Sequence, residues 1–146
     1  MKHKHIIAHM KSAFNYAACS TAKRLQVGCI IVKNDRIISI GYNGMPSGWN
    51  NVCENKTIDE NKNHILVTKP EVLHAESNAI AKLARSSESG ENACAFITHQ
   101  PCLSCAKLLY QSGICEVYYY HHYRCNDGIE FLKKCKIDVK QVKYDE

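Results

Sequence analysis

The sequence lacks any long apolar run, and no stretch approaches the roughly 18 residues that a membrane-spanning helix requires. Its basic start, residues 1–7, is not followed by a long apolar region or a small-residue cleavage site, so the pattern of a secretion signal is missing too. Internal repeats and low-complexity linkers are also absent. We therefore expect a single domain over residues 1–146, located in the cytoplasm and without a membrane partner.

A strong charge of one sign is also lacking. The chain has 19 Lys and Arg against 14 Asp and Glu, a formal net charge of +5. This excess suits anionic ligands such as nucleotides, but it is too small and too dispersed to indicate a stable nucleic-acid partner. The nine cysteines are numerous but odd in number. Without a secretion signal, they favour metal binding or small core residues over a disulfide framework.

The spacing of apolar residues predicts alternating helices and strands. Apolar residues at helical spacing predict a first helix over residues 5–19. Two β-rich runs predict a hairpin over residues 27–42. After residue 74, helices alternate with strands, a pattern typical of parallel strands covered by helices. We expect a three-layer α/β protein with a five-stranded mixed sheet flanked by helices. Residues 49–70 are polar without a clear period and are interpreted as an insertion.

Two short motifs carry recognisable chemistry: residues 74–76 (His-Ala-Glu) and 101–105 (Pro-Cys-Leu-Ser-Cys). His74, Cys102 and Cys105 provide three of the four ligands that zinc normally takes, which leaves one position for water. Glu76 need not bind the metal and can instead move protons. This combination is typical of zinc-dependent cytosine and adenine deaminases, so we expect an enzyme with catalytic Zn²⁺. The alternative is a closed structural zinc site with a fourth protein ligand and Glu76 on the surface.

Longer stretches resemble the deoxycytidylate (dCMP) deaminase family. The resemblance lies in residues 74–85, residues 101–107 and the loop at 41–48, which reads Gly-Tyr-Asn-Gly-Met-Pro-Ser-Gly, and it covers roughly residues 10–143. The zinc motifs are shared by the whole superfamily. The glycine loop after the second strand narrows the resemblance to dCMP deaminases.

The resemblance implies a cytidine-deaminase-like α/β/α fold and hydrolysis of dCMP to dUMP and ammonia, a step that feeds thymidylate synthesis. It also implies activation by dCTP with Mg²⁺, inhibition by dTTP and a homo-oligomer, often a hexamer. Phage-like features would place a viral member in the host cytoplasm. The residues implied in nucleotide contact or regulation are Gly41, Tyr42, Asn43, Gly44 and Arg85. For Arg85, a plain helix C-terminal charge is the alternative.

Five residues are candidates for substrate contact. Arg24 can bind the 5′ phosphate through two N–H groups, and Asn43 can bond a sugar hydroxyl. The family places an aromatic residue at the pocket mouth, which implies that Tyr123 stacks on the cytosine and that Arg124 closes over the phosphate. Ala75 is included with them through its place in the zinc motif. The alternatives are solvated charges, a turn residue and a surface aromatic.

A second, structural Zn²⁺ is implied by phage-type relatives. Cys19, Cys53 and His64 match the layout of its ligands, while Glu71 stands three residues before His74 instead of two. Such a site would organise the insertion, which has no apolar core of its own. The alternative is a set of buried free thiols.

Two other functions remain open. One is deamination of free cytidine or deoxycytidine, or of a base in tRNA or single-stranded DNA. The other is a non-catalytic, zinc-containing nucleotide-binding module, which would have no need for a proton-transferring Glu76.

Overall fold

A computed structural model describes residues 1–145. Within this range, no helix is both long enough and apolar enough to cross a membrane. The elements in chain order are α1 (His3–Ala17), β1 (Gly28–Lys33), β2 (Arg36–Tyr42), β3 (Glu54–Ile58), β4 (His64–Thr68), α2 (Ala75–Ala84), β5 (Cys94–His99), α3 (Leu103–Gln111), β6 (Glu116–His121), α4 (Asp127–Lys134) and β7 (Asp138–Gln141).

The main sheet has five strands in the order β2-β1-β5-β6-β7. Strand β1 runs antiparallel to both β2 and β5, whereas β5, β6 and β7 are parallel to one another. The parallel half has α3 between β5 and β6 and α4 between β6 and β7. The prediction of a mixed five-stranded sheet is confirmed.

The two faces of this sheet carry separate apolar cores. Successive side chains of a strand point to opposite faces, so Ile30 and Phe96 pack with Met10 of α1, while Ile31 packs with helices α2, α3 and α4 on the other side. Met10, Ile30, Ile31 and Phe96 are fully buried. This arrangement confirms the predicted three layers, with one helix on one face and three on the other.

The predicted insertion contains a feature that its sequence did not reveal. Strands β3 and β4 form a separate antiparallel hairpin in which Glu54 pairs with Thr68 and Ile58 pairs with His64. Most of its side chains are exposed. Because neither face of the hairpin is buried, the sequence has no apolar alternation by which to recognise the strands.

Two helix N-termini meet beyond the end of β5. His74 is the N-cap of α2, and Cys102 is the N-cap of α3, which follows β5 after a short loop. Strand β2 fixes α2 closely: a Cβ atom on Gly41 would collide with the carbonyl oxygen of Ala75 in the first turn of that helix. Ligand sites in α/β folds commonly occupy this end of the parallel strands.

Candidate active site

Three metal-binding side chains converge where α2 and α3 begin. The Nδ1 atom of His74 lies 3.4 Å from the Sγ atom of Cys105 and 3.7 Å from that of Cys102. Tetrahedral zinc separates a nitrogen from a sulfur ligand by about 3.5 Å, given its usual bond lengths. The spacing and the chemistry of this donor set therefore fit a zinc ion.

The ionisation of the two cysteines also suits a metal site. Hydrogen bonds from the Cys105 thiol and from His74 lower the pKa of Cys102 to about 4, which favours a thiolate. The pKa of Cys105 is raised, because it donates to that thiolate and is largely removed from solvent. One thiolate is thus available before any metal binds, and a bound cation would draw the second proton from Cys105.

Glu76 is a buried carboxyl group beside these ligands. Only 4 % of the residue is exposed, although it carries an ionisable group. Burial raises its pKa to about 7, against the opposing effects of a backbone hydrogen bond and His74. A carboxyl group with a pKa near neutrality can both accept and donate a proton, which is what general acid–base chemistry requires.

A cluster of cationic and hydroxyl groups surrounds the Tyr123 hydroxyl, beside the pocket that Glu76 also lines. The Arg24 guanidinium donates hydrogen bonds to the Tyr123 hydroxyl at 3.1 Å and to the Thr68 hydroxyl at 3.2 Å. Arg124 donates to the same Tyr123 hydroxyl at 2.9 Å, with its guanidinium 5.1 Å from the ring centre. Burial alone would raise the pKa of Tyr123, but the two arginines lower it. Arg24, Thr68, Glu76 and Tyr123 line one pocket.

The other predicted substrate residues also lie at this pocket. Asn43 and Ala75 line it. The Asn43 side chain accepts the Val27 backbone N–H at 2.9 Å and donates to the Leu25 carbonyl at 2.8 Å. It therefore holds the segment before β1 in place, and one amide hydrogen and one oxygen lone pair remain for a ligand.

Sequence reasoning missed four polar residues of this pocket. Gln100 is buried and accepts the Tyr123 backbone N–H at 2.7 Å. Glu54 and Thr68, which pair at the base of the hairpin, also line the pocket, as does His99. Burial, with a smaller effect from His121, lowers the pKa of His99 to about 4, so its ring is neutral near pH 7. Only the position of Gln100 directly before the Pro-Cys motif offered a sequence signal.

The glycine loop and Arg85 meet at a second cavity, on the outer side of α2. Its walls include Tyr42, Asn43, Gly44, Lys82 and Arg85. Asn43 also lines the first pocket, so it lies between the two. The predicted regulatory residue Gly41 instead faces α2, as described above.

The structure does not assemble the predicted second zinc site. No cluster of three or more candidate ligand atoms in the described part of the chain includes Cys19, Cys53, His64 or Glu71. The Cys53 thiol is buried and lies 3.5 Å from the Thr21 hydroxyl. His64 and Glu71 are exposed.

Comparisons with known proteins show similarity over most of the chain. The family model for the zinc-binding region of cytidine and deoxycytidylate deaminases matches residues 3–121. Deoxycytidylate deaminase of Saccharomyces cerevisiae is 34 % identical over 143 residues, which cover 94 % of this chain and 44 % of the yeast protein. This chain thus spans less than half the length of that relative. Deoxycytidylate deaminase of Enterobacteria phage T4 is 34 % identical over 152 aligned positions, covering 80 % of this chain and 79 % of the phage protein.

A solved structure is similar over nearly the whole chain. It is the crystal structure of dCMP deaminase from the cyanophage S-TIM5 in complex with dCMP and dUMP. The TM-score is 0.87 at 42 % sequence identity, with 97 % of this chain and 99 % of the cyanophage chain covered.

Proposed function

This chain belongs to the family of zinc-dependent cytidine and deoxycytidylate deaminases, and from that membership we propose that it hydrolyses dCMP to dUMP and ammonia. The observation that carries the proposal is the convergence of His74, Cys102 and Cys105 beside the buried Glu76, in a pocket that Arg24 also lines. A pocket of this kind can bind an anionic nucleotide and place its base near a proton-transferring group.

His74, Cys102 and Cys105 would hold the zinc ion. When bound, the ion supplies Lewis acidity, which favours deprotonation of water near neutral pH. Both cysteines reach the same point because they are three residues apart at the start of one helix. The positive end of the helix dipole also favours their thiolate forms.

Glu76 would move the protons. Its buried carboxyl group lies beside the residues that would hold the ion, where it could accept a proton from the attacking water and pass protons to the ring nitrogen and the departing amino group. Burial keeps bulk water from competing for these transfers. Glutamine at this position keeps the size of the side chain but cannot accept a proton.

Arg24 and Arg124 would recognise the 5′ phosphate. Both guanidinium groups donate to the hydroxyl of Tyr123, which lines the pocket, so two positive charges lie close together there. A phosphate offers these donors a charged acceptor with several oxygens, which is a stronger partner than one hydroxyl. The Tyr123 ring would stack on the base, and the remaining amide hydrogen of Asn43 would reach the sugar.

A substrate panel tests this proposal. Steady-state rates are measured on dCMP, deoxycytidine and a short deoxycytidine-containing oligonucleotide, with the wild type, Glu76→Gln and Glu88→Gln, a control at a half-buried residue that does not line the pocket. We expect dCMP to have by far the highest kcat/KM. Glu76→Gln should lose at least ~10³-fold in kcat, which is in the range of general acid–base catalysis. Glu88→Gln should match the wild type. Turnover of deoxycytidine or the oligonucleotide alone would refute the dCMP assignment. Full activity of Glu76→Gln would refute the mechanism.

We further propose that the cavity on the outer side of α2 binds the effector nucleotides dCTP, with Mg²⁺, and dTTP. Support comes from the two cationic side chains that line the cavity, Lys82 and Arg85. Further support comes from Asn43, which lines both this cavity and the catalytic pocket. Rates at subsaturating dCMP with each nucleotide, with and without Mg²⁺, test the idea. Arg85→Gln should lose the response to effectors but keep the basal rate, and an unchanged response would refute the site.

We also propose that the protein forms a homo-oligomer, with a hexamer as the expected state. Light scattering coupled to size exclusion measures the molar mass of the assembly directly. A mass of one chain, about 16.5 kDa, would refute the proposal.

A further inference from the structure

A second group of metal-binding side chains lies at the opposite end of the sheet from the catalytic pocket. The Sγ atoms of Cys94 and Cys115 and a carboxylate oxygen of Glu116 all lie within 4.8 Å of one another. Cys94 begins β5, and His99 at its far end borders the catalytic pocket. At the usual rise per residue, the two ends of the strand are about 16 Å apart, so this cluster is separate from the candidate active site.

The parallel pairing of β5 and β6 fixes the backbone of this cluster. Cys94 pairs with Glu116 in the register of the two strands. The Cys115 N–H donates to the Ala93 carbonyl at 2.9 Å, so the residues before both strands are also tied together. The side chains are therefore brought together by the sheet itself rather than by a flexible loop.

Hydrogen bonds also orient the carboxylate. The Tyr118 hydroxyl donates to Oε2 of Glu116 at 2.7 Å, while Oε1 lies 3.7 Å from the Cys94 sulfur. One oxygen is thus held by a neighbouring side chain, and the other points to the thiols. Carboxylates that bind metals are commonly fixed by outer hydrogen bonds in this way.

We propose that Cys94, Cys115 and Glu116 form a second zinc-binding site, independent of the catalytic one. Two sulfur ligands and one oxygen ligand match the preference of Zn²⁺, and the exposure of Cys115 leaves room for a water as the fourth ligand. Binding replaces the two thiol protons, which pass to the solvent, and forms two Zn–S bonds and one Zn–O bond without any change of oxidation state. The ion would clamp the start of β5 to the segment that leads into β6.

Zinc stoichiometry tests the proposal without reference to activity. The protein, reduced with a phosphine, is dialysed against zinc buffered at nanomolar free concentration, and bound zinc per chain is measured by elemental analysis. The variants are Cys94→Ser, Cys115→Ser and Cys102→Ser, with Cys135→Ser as a matched control from a half-buried thiol elsewhere. We expect two ions in the wild type and the control, and one ion in Cys94→Ser and Cys115→Ser.

Cys102→Ser tests whether this site is independent of the catalytic zinc site. Cys19→Ser tests whether it differs from the zinc site that the sequence predicted around Cys19. Cys102→Ser should keep one ion, and adding Cys115→Ser to it should remove that ion. Cys19→Ser should keep both ions. If the wild type binds one ion, or if Cys19→Ser loses the second ion while Cys115→Ser keeps it, the proposal is wrong. Because Cys115 is exposed, its serine variant serves as the decisive one should Cys94→Ser fail to fold, as judged by circular dichroism.

Discussion

Glu54 Oε2 accepts the backbone N–H of Arg24 at 2.9 Å, although 30 residues separate the two in the chain. The same oxygen accepts the N–H of Lys23, also at 2.9 Å, and the Glu54 residue is only 6 % exposed. Two N–H groups that face one buried carboxylate form charge-assisted hydrogen bonds. The β3–β4 hairpin thereby fixes the backbone position of Arg24, the proposed phosphate-binding residue.

Replacing Glu54 by Gln should weaken dCMP binding more than it slows the chemical step. The amide oxygen is a weaker acceptor, and its NH₂ group faces backbone donors if it rotates, so Arg24 is less firmly placed. Hydrogen bonds to charged groups are worth about 1.5–3 kcal/mol, and we expect KM to rise about tenfold with kcat changed less. Steady-state kinetics on dCMP measures both values.

Glu60→Gln is the matched control, because Glu60 is exposed at the turn of the same hairpin. It should behave as the wild type. If Glu54→Gln leaves KM unchanged, or lowers kcat alone, Glu54 does not position Arg24.

Removing the Arg24 side chain should affect the nucleotide but not the nucleoside. Arg24→Ala deletes a cationic donor that lines the pocket. We expect kcat/KM for dCMP to fall by about 10–100-fold, in line with the loss of charged hydrogen bonds. The low rate on deoxycytidine should stay the same, since it has no phosphate. An equal loss on both substrates would show that Arg24 supports the pocket and does not read the phosphate. Arg36→Ala, on the exposed end of β2, serves as the control.

His99 should make the fold sensitive to acid. Its pKa is about 4 in the folded state, against an ordinary value of 6.5, so between these values the unfolded chain binds more protons. The stability due to neutral His99 is complete above about pH 6.5 and is lost as the pH falls towards 4. His99→Gln should flatten the fall in unfolding midpoint between pH 6.5 and 4.5. Thermal unfolding monitored by circular dichroism measures this.

Acid release of zinc lowers the unfolding midpoint of the wild type and of His99→Gln alike. The difference between their two slopes therefore reports the protonation of His99 alone. His3→Gln, at the exposed start of α1, should keep the wild-type slope. A parallel slope in His99→Gln would contradict the assignment.

Phe96 should be critical for stability on the α1 face. It is fully buried and stacks on Tyr118 with ring centres 4.6 Å apart. Phe96→Ala should lower the free energy of unfolding by about 3–5 kcal/mol, the range for a buried aromatic truncation. Ile58→Ala, at an exposed hairpin position, should change it by less than about 0.5 kcal/mol. Urea titration compares the two, and equal losses would contradict the core assignment.

The sequence was sufficient to predict those features whose geometry depends on short-range spacing in the chain. His74, Cys102 and Cys105 could be named because the zinc motifs fix which side chains stand at helix N-termini. The mixed five-stranded sheet and the three layers followed from alternating apolar patterns and from the family resemblance, whereas the order of the strands within the sheet was not predicted.

It was insufficient where partners are distant in the chain. Glu54 acts on residues 30 and 31 positions away, and Cys94 meets Glu116 only through strand register. The hairpin lacks a buried face, so nothing in its pattern marked it. The ligand set with Cys19 and Cys53 came from resemblance alone, and here Cys53 packs in the interior against Thr21.

The position of α2 depends on Gly41 having no side chain. Since its α-carbon lies against the Ala75 carbonyl, strand and helix touch there through backbone alone. A single added methyl group would push the start of α2 outward and carry His74 away from the two sulfurs. The positions of the proposed metal ligands thus depend on the absence of a side chain at residue 41 in the neighbouring strand. The ligand residues themselves give no sign of this dependence.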